Sequence, residues 1–453
     1  MSKSQKSYYL KSGLLTILER GSVFVFGFGG FALLSRAFPK EELGIWVIFY
    51  TLTSFIEVGR SGLLQNALVK YLTNATEKEY PVINAASLGI NLCLTGLFIF
   101  ALCLFAYPTG IFFDAPVLTT MMLVYCATAI AMALFHQFNF IQMANLDFRG
   151  TFWSSFIKQG LFFLFILIVV LGNWEITLVK LAVVQILTTI AGVIVNYYFA
   201  KPYLRFSKTF DRVWMKKLFD FGRFVFGTNI STMVYKSIDK MMLGSLIGPA
   251  AAAIYEWPIK ISNLTEVPTF SIASIVFPKA ALTSNTDGKD GLKNLYEKSV
   301  GSILGLIIPF ILFVFLFAEL IILLLAGPEY HESIRILQYT IFFGCFIPFA
   351  VLFGTILDAM GKPKINFYFT IVGSIINVIS NYIFITNYGV IGAAYGTLTS
   401  YAITFIGQQY ILYKLLDVKA YRALTYIPDF YNRGITLARN FLTKKRIVSK
   451  TEL

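Results

Sequence analysis

Apolar stretches of some twenty residues follow one another almost without pause along most of this chain. About 20 apolar residues laid as a helix cross a bilayer core of roughly 30 Å, and lipid tolerates only structures that satisfy their own backbone. The pattern therefore predicts an all-α polytopic membrane protein. Twelve spans are expected, at 13–34, 43–64, 82–107, 117–140, 152–171 and 176–199, then 218–247, 250–277, 295–325, 334–357, 365–386 and 390–413. Charged residues make up only 14% of the chain, against about a quarter in soluble domains.

The net charge of +14 would suit a nucleic-acid binder in a soluble protein. Here it has a simpler source, because Lys and Arg collect in cytoplasmic loops. With the N-terminus inside, the basic loop residues fall on the cytoplasmic side, and the outer loops hold only Arg36, Lys40 and Arg335. Both termini are thus expected in the cytoplasm, and no nucleic acid is expected as a partner. No cleavable signal is evident, since the first dozen residues are polar and basic. The four cysteines lie in apolar segments without CxxC spacing and read as packing residues.

The basic connection 201–217 falls near the midpoint and suggests two six-helix bundles, 1–200 and 218–414, related by duplication. Leu43-Gly44-Ile45-Trp46 precedes Ala252-Ala253-Ile254-Tyr255 by 209 residues, and Gly172-Asn173-Trp174 precedes Asn387-Tyr388-Gly389 by 215. Residues 415–453 read as a basic cytoplasmic tail. Within it Ile435, Ala438, Phe441 and Leu442 share a helical face away from Lys444, Lys445 and Arg446. That pattern fits either an amphipathic helix on an anionic leaflet or a plain basic tail that fixes topology.

Charge inside the apolar segments carries the functional reading. An ionised side chain at the centre of a lipid-facing helix costs roughly 2.5–3.5 kcal/mol, so such groups pair or face water. Arg20, Arg60 and Lys158 are expected toward the cytoplasmic side of their spans, and Lys236, Lys240 and Lys260 toward the outer side. These six are the candidate cavity cations, suited to a phosphate or diphosphate cargo. Glu57, Asp239 and Glu256 are the candidate carboxylates for ion coupling or charge pairing. Glu57 stands three residues from Arg60, and Glu256 four from Lys260, spacings at which plain salt bridges are equally expected. Gly27, Gly29 and Gly30 interrupt the first span, and Pro258, Pro268 and Pro278 recur along the eighth.

The chain has no GxxxxGK[ST] loop, and its two histidines, His136 and His331, lie far apart in sequence without a metal-binding motif. Neither a catalytic residue nor a metal nor a resident cofactor is expected. Coupling to H⁺ or Na⁺ is left open.

Five stretches together resemble a known family: Arg36-Ala-Phe-Pro-Lys-Glu-Glu-Leu-Gly-Ile-Trp46, Gly62-Leu-Leu-Gln-Asn-Ala-Leu-Val-Lys-Tyr71, Ser237-Ile-Asp-Lys-Met-Met-Leu-Gly244, Ala359-Met-Gly-Lys-Pro-Lys364 and Tyr388-Gly-Val-Ile-Gly-Ala-Ala-Tyr-Gly-Thr397. They look like the polysaccharide transporter family of the multidrug/oligosaccharidyl-lipid/polysaccharide exporter superfamily. The resemblance implies two six-helix bundles in a V around a central cavity. It also implies flipping of lipid-linked sugars, such as O-antigen repeat units on undecaprenyl diphosphate, across the bacterial inner membrane. Asp239 matches the family's aspartate in the seventh helix. Partners so implied are the lipid-linked oligosaccharide, membrane lipids, and a glycan polymerase and glycosyltransferases of the same pathway. A cation-coupled drug exporter of the same superfamily is the alternative, and a membrane glycan polymerase the more distant one.

Overall fold

The computed structural model describes residues 3–207, 210–432 and Thr436. Nearly all of them are helical, and no strand occurs among them. Among the described residues ten helices are long and apolar enough to cross a membrane. The remaining two expected spans, 218–247 and 250–277, fall on helical residues that are not among these ten, the second being divided by a 3₁₀ turn at Asn263–Thr265.

By packing, the chain divides into residues 1–254 and 255–453. The first unit holds α1 (Lys3–Ala37), α2 (Lys40–Thr73), α3 (Glu79–Phe112), α4 (Pro116–Ala144), α5 (Arg149–Leu171), α6 (Leu178–Ala200) and α7 (Arg212–Leu246). This division differs from the expected boundary at 201–217 because α7 lies closely along α2. A side chain at Gly222 would collide with the Leu63 carbonyl, and one at Gly44 with that of Pro249, so glycine lets the backbones touch. The duplication expected about the 201–217 connection concerns sequence repeat rather than compactness.

Buried amides tie the helices of this unit together. Asn91 of α3 donates to the Ala133 carbonyl of α4 at 2.9 Å, and Asn196 of α6 donates to that of Phe135 at 2.9 Å. Such bonds replace the hydrophobic driving force that helices lack within lipid. The expected interruption of α1 at its glycines is absent. α1 runs through them, and Gly29 instead makes room for the Phe163 ring of α5.

The second unit holds most of α8 (Pro249–Ser262), then α9 (Glu266–Thr286), α10 (Gly288–Leu316), α11 (Ala318–Leu325), α12 (Glu332–Thr340), α13 (Phe343–Ala359), α14 (Pro363–Tyr388) and α15 (Val390–Leu416). A 3₁₀ turn, Asn263–Thr265, separates α8 from α9. It lies one turn ahead of Pro268, whose ring removes a helical hydrogen bond and crowds the preceding turn.

The tail expectation needs correction over its first part. The chain reverses at Asp417, which takes a left-handed conformation with φ 53°, and residues 420–432 form a further helix. This helix runs along α10 in the same direction. The Lys419 amide donates to Glu297 Oε1 at 3.1 Å, Ala423 meets Gly301, and Ile427 and Phe430 meet Gly305. Tyr431 then donates to the Gly305 carbonyl at 2.6 Å. The four-residue spacing of Gly301 and Gly305 opens the flat face that permits this approach. The amphipathic stretch proposed around Ile435, Ala438, Phe441 and Leu442 lies outside the described residues.

Candidate functional site

Four helices of the first unit bring charge to one place. α2 has 34 residues, and Glu57 and Arg60 stand near its middle, one turn apart. Glu57 Oε2 lies 3.0 Å from Arg60 Nη1, and Oε1 accepts from Tyr125 of α4 at 3.0 Å. His136, also on α4, places Nε2 3.1 Å from Glu57 Oε2. Tyr125 and His136 are eleven residues apart, close to three full helical turns, so both face α2.

Arg60 is fully buried. Its Nη2 donates to the Ala129 carbonyl at 3.2 Å and to Thr95 Oγ1 of α3 at 3.4 Å. A guanidinium withdrawn from water needs this many acceptors. The expectation of a solvent-facing cation at Arg60 is therefore not met in this structure, where the side chain is engaged by a carboxylate, a carbonyl and a hydroxyl.

Lys158 is handled differently. It sits near the middle of the 23-residue α5, its stem passing beneath Gly192 of α6. Its ammonium meets the Met132 sulfur at 3.7 Å and stands 4.5 Å from the centre of the Phe135 ring. Among the described residues no carboxylate lies within ion-pair distance of it. Glu57 and Glu19 act on it only from farther away. Glu19 of α1 is itself engaged, accepting from Ser155 Oγ at 3.1 Å, and Arg20 beside it is exposed.

Glu57 and Arg60 of α2 are thus paired, with Lys158 of α5 within electrostatic reach of Glu57, while Arg20 stands exposed on α1. Sequence reasoning passed over His136, Tyr125, Thr95 and Ser155. The one available signal was the eleven-residue spacing of Tyr125 and His136 on α4.

Lys236, Asp239 and Lys240 ride on α7. Gly59 of α2 faces Phe226 and Ile230 of α7, and Gly244 of α7 faces Ile48 of α2. The three residues lie between those contacts, level with the part of α2 that precedes Glu57. Asp239 is buried, with Oδ1 accepting from the Lys240 amide at 2.8 Å, whereas Lys236 is exposed. In the second unit Glu256 Oε1 pairs with Lys260 Nζ at 3.3 Å, the i,i+4 bridge its spacing allowed.

Comparison with known proteins gives a consistent family picture. Residues 33–335 match the family described as "Polysaccharide biosynthesis protein". A protein of Haloferax volcanii named as a low-salt glycan biosynthesis flippase, Agl15, is 21% identical over 204 residues, 45% of this chain and 43% of that protein. A Shigella flexneri protein named as an O-antigen transporter is 24% identical over 211 residues, 46% of this chain and 50% of that one. The chain thus spans about half the length of these relatives. Among solved structures, an inward-facing multidrug resistance MATE family transporter of the MOP superfamily superposes with a TM-score of 0.74 at 16% identity, covering 88% of this chain and 98% of that one. The lipid II flippase MurJ superposes with a TM-score of 0.69 at 16% identity, covering 95% and 92%.

Proposed function

Since the chain belongs to the polysaccharide biosynthesis protein family and has the fold of MOP-superfamily transporters, we propose that it flips a lipid-linked oligosaccharide between membrane leaflets. The carrier on this reading is undecaprenyl diphosphate, and the cargo is a repeat unit of a surface glycan. No covalent bond changes. The protein works in the cytoplasmic membrane with its basic connections inside.

The observation that carries the reading is Lys158. A half-buried ammonium that, among the described residues, meets a thioether and a ring but no carboxylate is poorly compensated, and a diphosphate would supply what the helices withhold. Arg20, Lys236 and Lys240 would add positive charge along the route, and Lys260 is held by Glu256 as Arg60 is by Glu57. Arg60, matched by Glu57, holds that carboxylate in place rather than meeting the cargo. Organic-cation cargo, the drug-exporter reading, would be repelled by the same lysine.

Glu57 is our candidate for energy coupling. It is a carboxylate near the middle of a span, and Tyr125, His136 and Arg60 all reach it, so a proton or sodium ion taken up there would alter four side chains at once. Asp239 and Glu256 are the lesser candidates for this role.

The test uses a strain lacking the gene. Lys158→Met should abolish surface glycan while membrane levels of the protein hold, and Lys158→Arg should retain part of it. Full glycan in the Lys158→Met strain would overturn the reading.

A further inference from the structure

A second site lies in the first unit, away from the charged network. Ile90, Cys93, Leu94 and Leu97 form one stripe of α3, and Met215, Lys216 and Phe219 form one stripe of α7. Between them, backed by Leu63 of α2, runs a cavity of ≈ 380 Å³. Apart from Lys216 the lining is apolar, and Leu97 and Phe219 are 59% and 49% exposed, so the groove opens sideways. Phe210 lies against Gly89 of α3 and closes the end nearest the basic connection. At the other end Gly96 faces open space.

Depth follows from helix length. α3 has 34 residues and is about 51 Å long, against a bilayer core of roughly 30 Å. Centred in the bilayer, it places Ile90, Cys93 and Leu94 in the leaflet on the side of the basic connection, with Leu97 just past the midplane. Lys216, level with the start of this stripe, can reach the interface, its stem covering apolar surface. Arg212 stands one turn farther out on the same face of α7.

We infer that this groove holds one acyl chain of an anionic glycerophospholipid, with Lys216 and Arg212 on its phosphate. The volume suits a single chain and no more. An apolar slot open to lipid, with cations only at its interfacial end, complements a molecule having a hydrocarbon chain below and negative charge above. A zwitterionic lipid lacks the matching net charge. A juxtamembrane basic residue is worth about 1 kcal/mol toward an anionic lipid surface, about fivefold in occupancy. This inference is independent of the proposed cargo.

Cys93 provides the readout, because its thiol lines the groove and is exposed. The chain carrying Cys103→Ala, Cys126→Ala and Cys345→Ala is alkylated with a small maleimide in detergent containing phosphatidylglycerol or phosphatidylcholine of identical chains. Phosphatidylglycerol should slow alkylation of Cys93 at a roughly thirtyfold lower mole fraction, about fivefold for each of the two basic residues. High salt should erase that difference, as should Arg212→Gln with Lys216→Gln. Equal protection by both lipids at low salt would reduce the groove to ordinary lipid contact and overturn the inference. So would a preference that survives high salt, a result that needs no substitution in the groove.

Discussion

Arg60 and Lys158 are both cations set deep in the first unit, yet their surroundings treat them oppositely. Arg60 has a carboxylate, a carbonyl and a hydroxyl, all brought by packing of α2, α3 and α4. Lys158 has a sulfur and an aromatic face. The first arrangement completes a charge pair within the protein and belongs to the fold. The second leaves the charge less compensated by the protein, which is why the proposed function rests on Lys158. Charge at depth alone does not mark a site, because only its unmet part is available for binding.

The sharpest way to break this contrast is to remove each cation and measure stability. Arg60→Met should leave Glu57, near the middle of a span, without its guanidinium partner, at a cost of about 3–5 kcal/mol. Thermal unfolding in detergent, or recovery of folded protein, would register it. Lys158→Met should be neutral or mildly stabilising in the same assay, since it replaces a poorly compensated charge by an apolar chain of similar reach. Equal losses from the two substitutions would mean that both cations are structural, and the contrast would fall.

A smaller effect sharpens the role of Tyr125. Tyr125→Phe removes one hydrogen bond to Glu57 and should cost about 1.5–3 kcal/mol, as for a bond to a charged group. Combined with Glu57→Gln, the two losses should fail to add, by about 0.5–3 kcal/mol in a double-mutant cycle. Additive losses would show that the phenol and the carboxylate do not act on each other.

Much of this was legible in the sequence. Unbroken apolar runs gave the helices, because hydrophobic length is what lipid selects. The pairing of Glu57 with Arg60 was legible as opposite charge at three-residue spacing. What local pattern does not carry is the partnering across helices. Nothing near Glu57 in sequence announces Tyr125 or His136, which reach it only once α4 lies against α2. Nor does the stretch after Asp417 look like a packed element, since its mixed composition yields a docking face only where Gly301 and Gly305 bare the backbone of α10. The closeness of α7 to α2 was hidden for the same reason, since nothing in local pattern announces that Gly222 lies against the Leu63 carbonyl.

The smallest effect concerns a charge pair outside the spans and sets a scale for the deep ones. Asp147, in the connection between α4 and α5, accepts from Arg149 Nε at 2.9 Å and Nη2 at 2.7 Å, and from the Tyr203 hydroxyl at 3.3 Å. The Arg149 guanidinium foremost holds its carboxyl below the usual carboxylate range, against the opposing effect of burial. A depressed folded-state pKa stabilises the fold above the unfolded value of about 3.9, and that contribution fades as pH falls through the lower folded value. Stability owed to Asp147 should therefore be constant from neutral pH to about pH 5 and decline only in acid below that. Asp147→Asn should lose about 1 kcal/mol at neutral pH and show a shallower acid decline than the parent chain. The Arg149 side chain is 58% exposed, whereas that of Arg60 is fully buried, so the cost here should be several times smaller than for Arg60→Met. A loss as large as that of Arg60→Met would mean that solvent exposure does not govern what these pairs are worth, and the distinction drawn between Arg60 and Lys158 would lose its physical basis.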